Sequence, residues 1–275
     1  MAGSYRYVVA DVFTDVPLAG NQLAVFTDAR DVPEHLLQPL AREVGFSETV
    51  FVYPAEAGGH ARMRIFTPAV ELPFAGHPVL GTAFVLAGPL QLQEIRLETG
   101  VGVVPVRLER EEARIVFGWM EQPYPSVEPF DDVALLLAAL GLERAELPVE
   151  LYDNGVRHVY VALASEHEVA ELAPDFQALA GVPAGVNCFA GAGTRWKTRM
   201  FGPSLGVVED PATGSAAGPL AVHLLRHGLV AAGEEIRIAQ GAEIGRPATL
   251  HARADETRVE VGGSAVIVAR GEFRL

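Results

Sequence analysis

Short runs of alternating or β-branched apolar residues dominate the chain, and turn residues separate them. Alternation predicts strands, because successive side chains of a strand point to opposite faces of the sheet. The predicted strands are residues 5–13, 22–27, 49–53, 61–66, 95–99, 102–108, 114–119, 157–163, 187–190, 195–201, 235–239, 248–254, 257–261 and 265–269. Helical periodicity is rarer, at 33–44, 77–86, 131–140, 174–180 and 215–227. Since strands mostly follow strands, we predict an α+β fold with antiparallel or mixed sheets.

One segment of the sequence recurs after about half the chain. Residues 64–68 (Arg-Ile-Phe-Thr-Pro) match residues 199–203 (Arg-Met-Phe-Gly-Pro), and a predicted helix with an early proline follows each copy. This repeat predicts two similar halves that meet in the proline-rich stretch 121–130. We assign 1–120 to an N-terminal half, with 265–275 as a candidate additional strand of it, and 121–264 to a C-terminal half.

The two copies differ where their helices start. His77 stands against Ser215, and Asp210 has an apolar counterpart in the first copy. Gly76 and Gly214 lie at the two helix starts, where unpaired backbone N–H groups and the positive end of the helix dipole attract anions. Two such starts, related by a pseudo-two-fold axis and facing one cleft, would bind a small carboxylate.

Composition and charge exclude several classes of function. Of the 275 residues, 49% are hydrophobic and 20% charged, which excludes a disordered chain. The net charge of -14 disfavours nucleic acid and anionic membranes as partners, although a local pocket can still bind a small anion. Cys188 is the one cysteine, so an intrachain disulfide and a thiolate metal cluster are excluded. With no signal-peptide pattern and no long apolar run, we expect a soluble cytoplasmic protein.

Glu48 is a candidate general base. It begins a predicted strand in which both faces are largely apolar, so desolvation should raise the pKa of its carboxyl group toward neutrality. A base that later returns its proton needs such a pKa. The alternative is a half-solvated carboxylate at the edge of a strand.

Other catalytic and metal-binding patterns are weaker. Ser215 and Asp210 could form a triad with one of four histidines (77, 158, 223 or 227), but the Gly-x-Ser-x-Gly motif is missing, which favours a first-turn helix residue at 215. His223 and His227 have the spacing of metal ligands on a helix, yet no acid or third histidine lies at a suitable spacing, so we expect a solvated helix end. Cys188 is expected in the core rather than as a catalytic thiol.

Several motifs occur together in a specific order: residues 11–17 (DVFTDVP), 20–21 (GN), 45–49 (GFSET), 64–68 (RIFTP), 73–78 (PFAGHP) and 209–215 (EDPATGS). On these motifs, nearly the whole chain resembles the phenazine biosynthesis PhzF-like isomerases, which have the diaminopimelate epimerase-like fold. The resemblance implies two halves, each a mixed sheet rolled around a central helix, with the active site between them. It also implies a homodimer without a cofactor.

The resemblance also implies roles for single residues. The catalytic glutamate of the family corresponds to Glu48, and its substrate-holding residues correspond to His77, Asp210 and Ser215. Epimerases of this fold use two cysteines at positions that look like Gly76 and Gly214 here, so a two-thiol mechanism is excluded.

The expected function is therefore a metal-free and cofactor-free isomerase acting on a small cyclic amino-acid-like carboxylate similar to dihydro-hydroxyanthranilate. Glu48 would move a proton between ring carbons, and the helix starts would bind the carboxylate. Two alternatives stay open. One is an epimerase or other proton-transfer enzyme of the same fold acting on another amino acid, and the other is a non-catalytic binder of small anions.

Overall fold

A computed structural model of the protein describes residues 3–275, which divide into two units. Unit 1 contains the described residues up to Glu121 together with Gly262–Leu275, and unit 2 is Gln122–Val261. In residues 3–275, no helix is long and apolar enough to cross a bilayer.

Unit 1 contains a mixed sheet and two helices. With elements numbered along the whole chain, its strands are β1 (Ser4–Val12), β2 (Asn21–Phe26), β3 (Glu48–Tyr53), β4 (Ala61–Phe66), β5 (Glu71–Leu72), β6 (Glu94–Thr99), β7 (Gly102–Glu111), β8 (Arg114–Gln122, ending at the first residue of unit 2) and β18 (Ala265–Arg274). Its helices are α1 (Glu34–Val44) and α2 (Gly76–Leu90).

Unit 2 has the same kind of structure with more helices. Its strands are β9 (Ser126–Pro129), β10 (Glu150–Asp153), β11 (Arg157–Ala162), β12 (Gly185–Ala192), β13 (Arg195–Gly202), β14 (Val207–Asp210), β15 (Ile236–Gln240), β16 (Ala248–Ala254) and β17 (Val259–Gly263, which runs into unit 1). Its helices are α3 (Val133–Leu140), α4 (Glu166–Glu171), α5 (Phe176–Leu179) and α6 (Gly214–Arg226).

The sequence repeat is also a repeat of topology. In unit 1, the strands lie side by side in the order β1, β2, β3, β4, β6 and β7. The short strand β5 pairs with β4. Among these pairs, only β2–β3 and β4–β6 are parallel. In unit 2, β10 to β13, then β15 and β16, have the same order, β14 pairs with β13, and β11–β12 and β13–β15 are parallel. Each strand from β1 to β7 therefore has an equivalent from β10 to β16.

The repeated helices form the centre of each unit. Helix α2 contacts β1, β2, β3, β6, β7 and β18, and helix α6 contacts β11 and β16. In both helices, most residues are buried on every side, which is expected of a helix inside a core and not of one on a surface. They begin at Gly76 and Gly214, as the repeat predicts.

The structure differs from the prediction mainly in short elements. Strands β5, β9, β10 and β14 were not predicted, and neither was α4, while the helix predicted at 174–180 is reduced to Phe176–Leu179. Helix α2 continues through Pro89 to Leu90 instead of ending at residue 86. A proline in the last turn removes one hydrogen bond but does not force the helix to end, because packing stabilises α2.

Candidate functional site

In unit 1, a tight loop between β1 and β2 places Asn21. The Asp11 carboxylate accepts a hydrogen bond from the backbone N–H of Leu18 (2.7 Å), which folds the loop back on the strand. Gly20 has φ of +62°, and a Cβ there would lie 2.3 Å from the carbonyl oxygen of Val12. Only glycine fits this turn, so the Asp11 to Asn21 motif is explained by its geometry.

Asn21, Glu48 and His77 form what we call the Glu48 group. Asn21 Nδ2 donates to His77 Nδ1 at 3.2 Å, and His77 Nε2 lies 3.3 Å from Glu48 Oε2. An imidazole that accepts at Nδ1 carries its proton on Nε2, so the protonated nitrogen of His77 is the one beside the Glu48 carboxylate, at an ion-pair distance. The side chains of His77 and Glu48 are 3% and 13% exposed, so Glu48 is largely buried and not half-solvated.

In unit 2, the turn before α6 is held by hydrogen bonds. Thr213 Oγ1 donates to Asp210 Oδ2 at 2.6 Å. Gln240 Nε2 donates to the Asp210 carbonyl oxygen (2.8 Å) and to Thr213 Oγ1 (3.0 Å), while its Oε1 accepts from the Thr213 N–H (3.2 Å). Asp210 is buried, and this network sets its position relative to the start of α6.

The first turn of α6 is also fixed from the side. Pro219 has no N–H, so the carbonyl oxygen of Ser215, four residues earlier, loses its partner within the helix. Asn154 Nδ2 donates to this oxygen at 2.9 Å and restores the missing hydrogen bond. Tyr160 Oη donates to the Ala216 carbonyl oxygen at 2.6 Å.

Ser215, His158 and Asn187 form the Ser215 group. Asn187 Nδ2 donates to the Gly185 carbonyl oxygen (3.0 Å) and lies 3.3 Å from His158 Nδ1, which therefore accepts. His158 Nε2 lies 3.0 Å from Ser215 Oγ and carries the ring proton. Since Ser215 Oγ accepts from His158, its own hydroxyl proton points elsewhere and can be donated to a ligand.

This tautomer excludes a hydrolytic triad at Ser215. A triad histidine must accept the serine proton at Nε2 and be oriented by a carboxylate at Nδ1. His158 instead donates from Nε2, an amide contacts its Nδ1, and Asp210 accepts from Thr213. Complete burial also lowers the pKa of His158 to about 3, so it is a poor base near neutral pH.

Strand register shows that the two groups arise from equivalent places in the repeat. Phe51 pairs with Arg64 and Cys188 with Arg199, which makes Gly185 the equivalent of Glu48. In the parallel pairs, Glu48 faces Leu23 and Gly185 faces His158. In unit 1, the side chain next to the helix start is the Glu48 carboxylate on β3. In unit 2, it is the His158 imidazole on β11, which pairs with β12, the equivalent of β3.

Cys188 lies in the core of unit 2, as predicted. It is fully buried, and burial raises the pKa of its thiol well above the usual range. A buried neutral thiol is a poor nucleophile.

The comparison with known proteins identifies the family. Residues 10–271 match the family described as phenazine biosynthesis-like protein, PhzC-PhzF. The chain belongs to this family. This PhzF-like chain is 50% identical to trans-2,3-dihydro-3-hydroxyanthranilate isomerase of Pseudomonas aeruginosa, over 98% of its own length and 100% of that protein.

Two solved structures agree with this assignment. A phenazine biosynthesis protein of the PhzF family from Bacillus anthracis matches the PhzF-like chain with a TM-score of 0.86 at 25% identity, over 99% of this chain and 100% of the other. A probable proline racemase from Agrobacterium radiobacter K84 has the same fold at 14% identity, with a TM-score of 0.71 over 98% and 93% of the two chains. The α+β, epimerase-like fold and the class of PhzF-like isomerase predicted from the sequence are confirmed.

Within each unit, the PhzF-like structure brings the predicted site residues together. His77 contacts Glu48 in unit 1, and Asp210, Gly214 and Ser215 share one turn in unit 2. Sequence reasoning considered His158 only as a triad partner of Ser215, and it missed the supporting side chains Asn21, Asn154, Asn187 and Gln240. Of the missed side chains, only Asn21 could have been found from the sequence, because it ends one of the family's motifs.

Proposed function

We propose that this chain isomerises trans-2,3-dihydro-3-hydroxyanthranilate or a closely similar cyclic amino-acid-like carboxylate, without a metal or cofactor. The observation that carries the proposal is the largely buried Glu48 carboxylate, whose Oε2 lies 3.3 Å from His77 Nε2, in a chain of the PhzF-like isomerase family. The substrate named is that of the relative with 50% identity.

Glu48 acts first as a base and then as an acid. Its carboxylate removes a proton from a ring carbon, so that the C–H bond breaks and its electron pair enters the conjugated system. The protonated Glu48, whose acid proton can exchange with solvent, then delivers a proton to another ring carbon, where a new C–H bond forms. His77 Nε2–H stabilises the ionised carboxylate before the first step and after the second.

The remaining predicted residues bind the substrate. The backbone N–H groups at Gly76 and Gly214 lie at helix starts, where the helix provides no partners for them and its dipole favours a carboxylate. Ser215 donates its hydroxyl, because His158 occupies an acceptor position of its oxygen. Asp210 binds an amino or hydroxyl substituent of the ring, and His77 helps to orient it.

The direct test is a reaction of this substrate in heavy water followed by NMR. We expect a double bond to migrate and solvent deuterium to enter only the ring carbon that receives the proton. Deuterium uptake at one carbon without migration of a double bond would instead identify an epimerase. Saturable binding without any exchange or turnover would identify a small-anion binder and contradict the proposal.

The Ser215 group makes a separate prediction about substrate binding. Ser215→Ala removes a hydrogen bond to a charged group, for which a loss of about 1.5–3 kcal/mol is typical, so KM should rise roughly 10–100-fold with a smaller change in kcat. His158→Leu should also raise KM, because it removes the N–H donor that contacts Ser215 Oγ. His158→Gln keeps an N–H donor, so its KM should be lower than that of His158→Leu. Steady-state kinetics of the three variants measure this, and an unchanged KM in Ser215→Ala would remove Ser215 from the site.

We also propose that the enzyme works in the cytoplasm as a homodimer, with a small-molecule carboxylate as its substrate and with neither nucleic acid nor a membrane as a partner. The acidic surface and the buried single cysteine support this location, and the resemblance to the family supports the dimer. Light scattering should then give about twice the 29.3 kDa mass of one chain. The mass of a single chain would contradict the dimer.

A further inference from the structure

A second group of titratable side chains lies at the C-terminal end of α6. His223 and His227 are one helical turn apart, and the unpredicted strand β10 places Glu150 beside them. Glu150 Oε2 lies 3.3 Å from His223 Nδ1 and 3.1 Å from His227 Nε2, and the ligand atoms of all three residues lie within 4.8 Å of one another. The expected solvated helix end is therefore wrong, because His223 is completely buried and an acid is present.

These distances fit a tetrahedral metal ion. Zn²⁺ binds imidazole nitrogen and carboxylate oxygen at about 2.0–2.2 Å, so neighbouring ligand atoms of a tetrahedron are about 3.3 Å apart. Two of the three ligand distances already have this value. We propose that Glu150, His223 and His227 bind one Zn²⁺ ion, with water as the fourth ligand.

A neighbouring side chain holds the proposed ligands in position. Tyr152 Oη donates to Glu150 Oε2 at 2.9 Å and lies 3.1 Å from His223 Nδ1. Tyr152 therefore orients two of the proposed ligands without binding the ion itself. His223 Nε2 has no hydrogen-bond partner in residues 3–275, so the polar contacts of this buried ring are all at Nδ1.

Solvent can reach the site. The side chains of Glu150 and His227 are 14% and 20% exposed, which gives a cation a path from water. Arg226 contacts Glu150 Oε1 at 3.4 Å, but its guanidinium is half exposed and can turn outward when a cation binds.

The proposed ion would stabilise unit 2 and take no part in catalysis. It would join the end of α6 to β10. His223 is eight residues from Ser215 on α6, about 12 Å along the helix axis at 1.5 Å per residue. The inference therefore does not depend on the proposed isomerase reaction.

Calorimetric titration of tag-free, chelator-treated protein with ZnCl₂ tests the site. We expect one Zn²⁺ per chain, and at a hundredfold excess over Kd a rise in Tm of roughly 5–10 °C. His227→Gln and Glu150→Gln each remove one ligand and should weaken binding at least tenfold. His251→Gln is the matched control, because His251 pairs with Glu235 at 2.8 Å in a His–Glu pair outside this group.

Absorption of the Co²⁺-loaded protein provides a second measurement that does not depend on stability. Intense visible bands of tetrahedral Co²⁺ should appear in the original protein and in His251→Gln, and should be lost in His227→Gln. Substoichiometric Zn²⁺ binding, or equal binding by the original protein and the two ligand variants, would overturn the proposal.

Discussion

Replacing Glu48 with glutamine is expected to lower kcat by roughly 10²–10⁴-fold, the usual contribution of a general acid or base. The amide has the shape of the carboxylate and can keep the contact with His77 Nε2, which lies 3.3 Å from the native oxygen. It cannot take up a proton from carbon, so proton transfer fails while the fold remains. Turnover of the proposed substrate, with deuterium exchange as an independent readout, measures the loss.

Glu43→Gln is the matched control for this variant. Glu43 is exposed near the end of α1, five residues before Glu48, and the same change of charge there should leave kcat unchanged. Equal melting temperatures for both variants would show that the fold is intact. Full activity of Glu48→Gln would assign the proton transfer to another group.

Lowering the pH from 7 to 4.5 is expected to destabilise unit 2 through His158. Its pKa is about 3 when folded, against 6.5 for an ordinary histidine, because burial disfavours the charged ring. Between these two pH values, residue 158 binds a proton in the unfolded chain but not in the folded chain. The contribution of His158 to the free energy of unfolding is therefore fully present above pH 6.5 and is lost as the pH decreases toward 3. The loss by pH 4.5 is roughly 2–3 kcal/mol, close to a hundredfold change in the unfolding equilibrium.

Denaturant titrations at both pH values measure this loss, with fluorescence of Trp196 as the probe in a Trp119→Phe background. Other groups titrate over the same range, so the quantity of interest is the difference between His158 and His158→Gln proteins. Glutamine does not titrate, and its variant should lose roughly 2–3 kcal/mol less stability on acidification. Identical pH dependence in the two proteins would contradict a buried, neutral His158.

Local sequence patterns predicted the long elements well because those elements contain enough consecutive residues to show a pattern. The alternating run at 157–163 became β11, and the repeated glycines at 76 and 214 became helix starts. Strands of two to four residues, such as β5 and β10, are too short to show a period of two residues, and they form because a neighbouring strand offers hydrogen bonds.

Partners of site residues were harder to predict than the residues themselves. The strand pattern shows that His158 lies in a sheet, but its contact with Ser215 depends on how α6 packs on β11. The same limit applies to Glu150, because no local pattern predicts strand β10, and without that strand nothing places an acid near His223. Long-range packing, and not local propensity, determines both contacts.

The discontinuity of unit 1 has a consequence for synthesis on the ribosome. β1 pairs along its whole length with β18, yet unit 2 lies between them in the chain as one continuous stretch. At about 5–20 residues per second, the roughly 140 residues of unit 2 take about 7–30 s to make. During that interval the nascent chain exposes one side of β1 as an open sheet edge, which can pair with other chains. A chain released before residue 265 would keep that edge permanently, so premature termination should produce aggregating fragments even when all the proposed site residues are present.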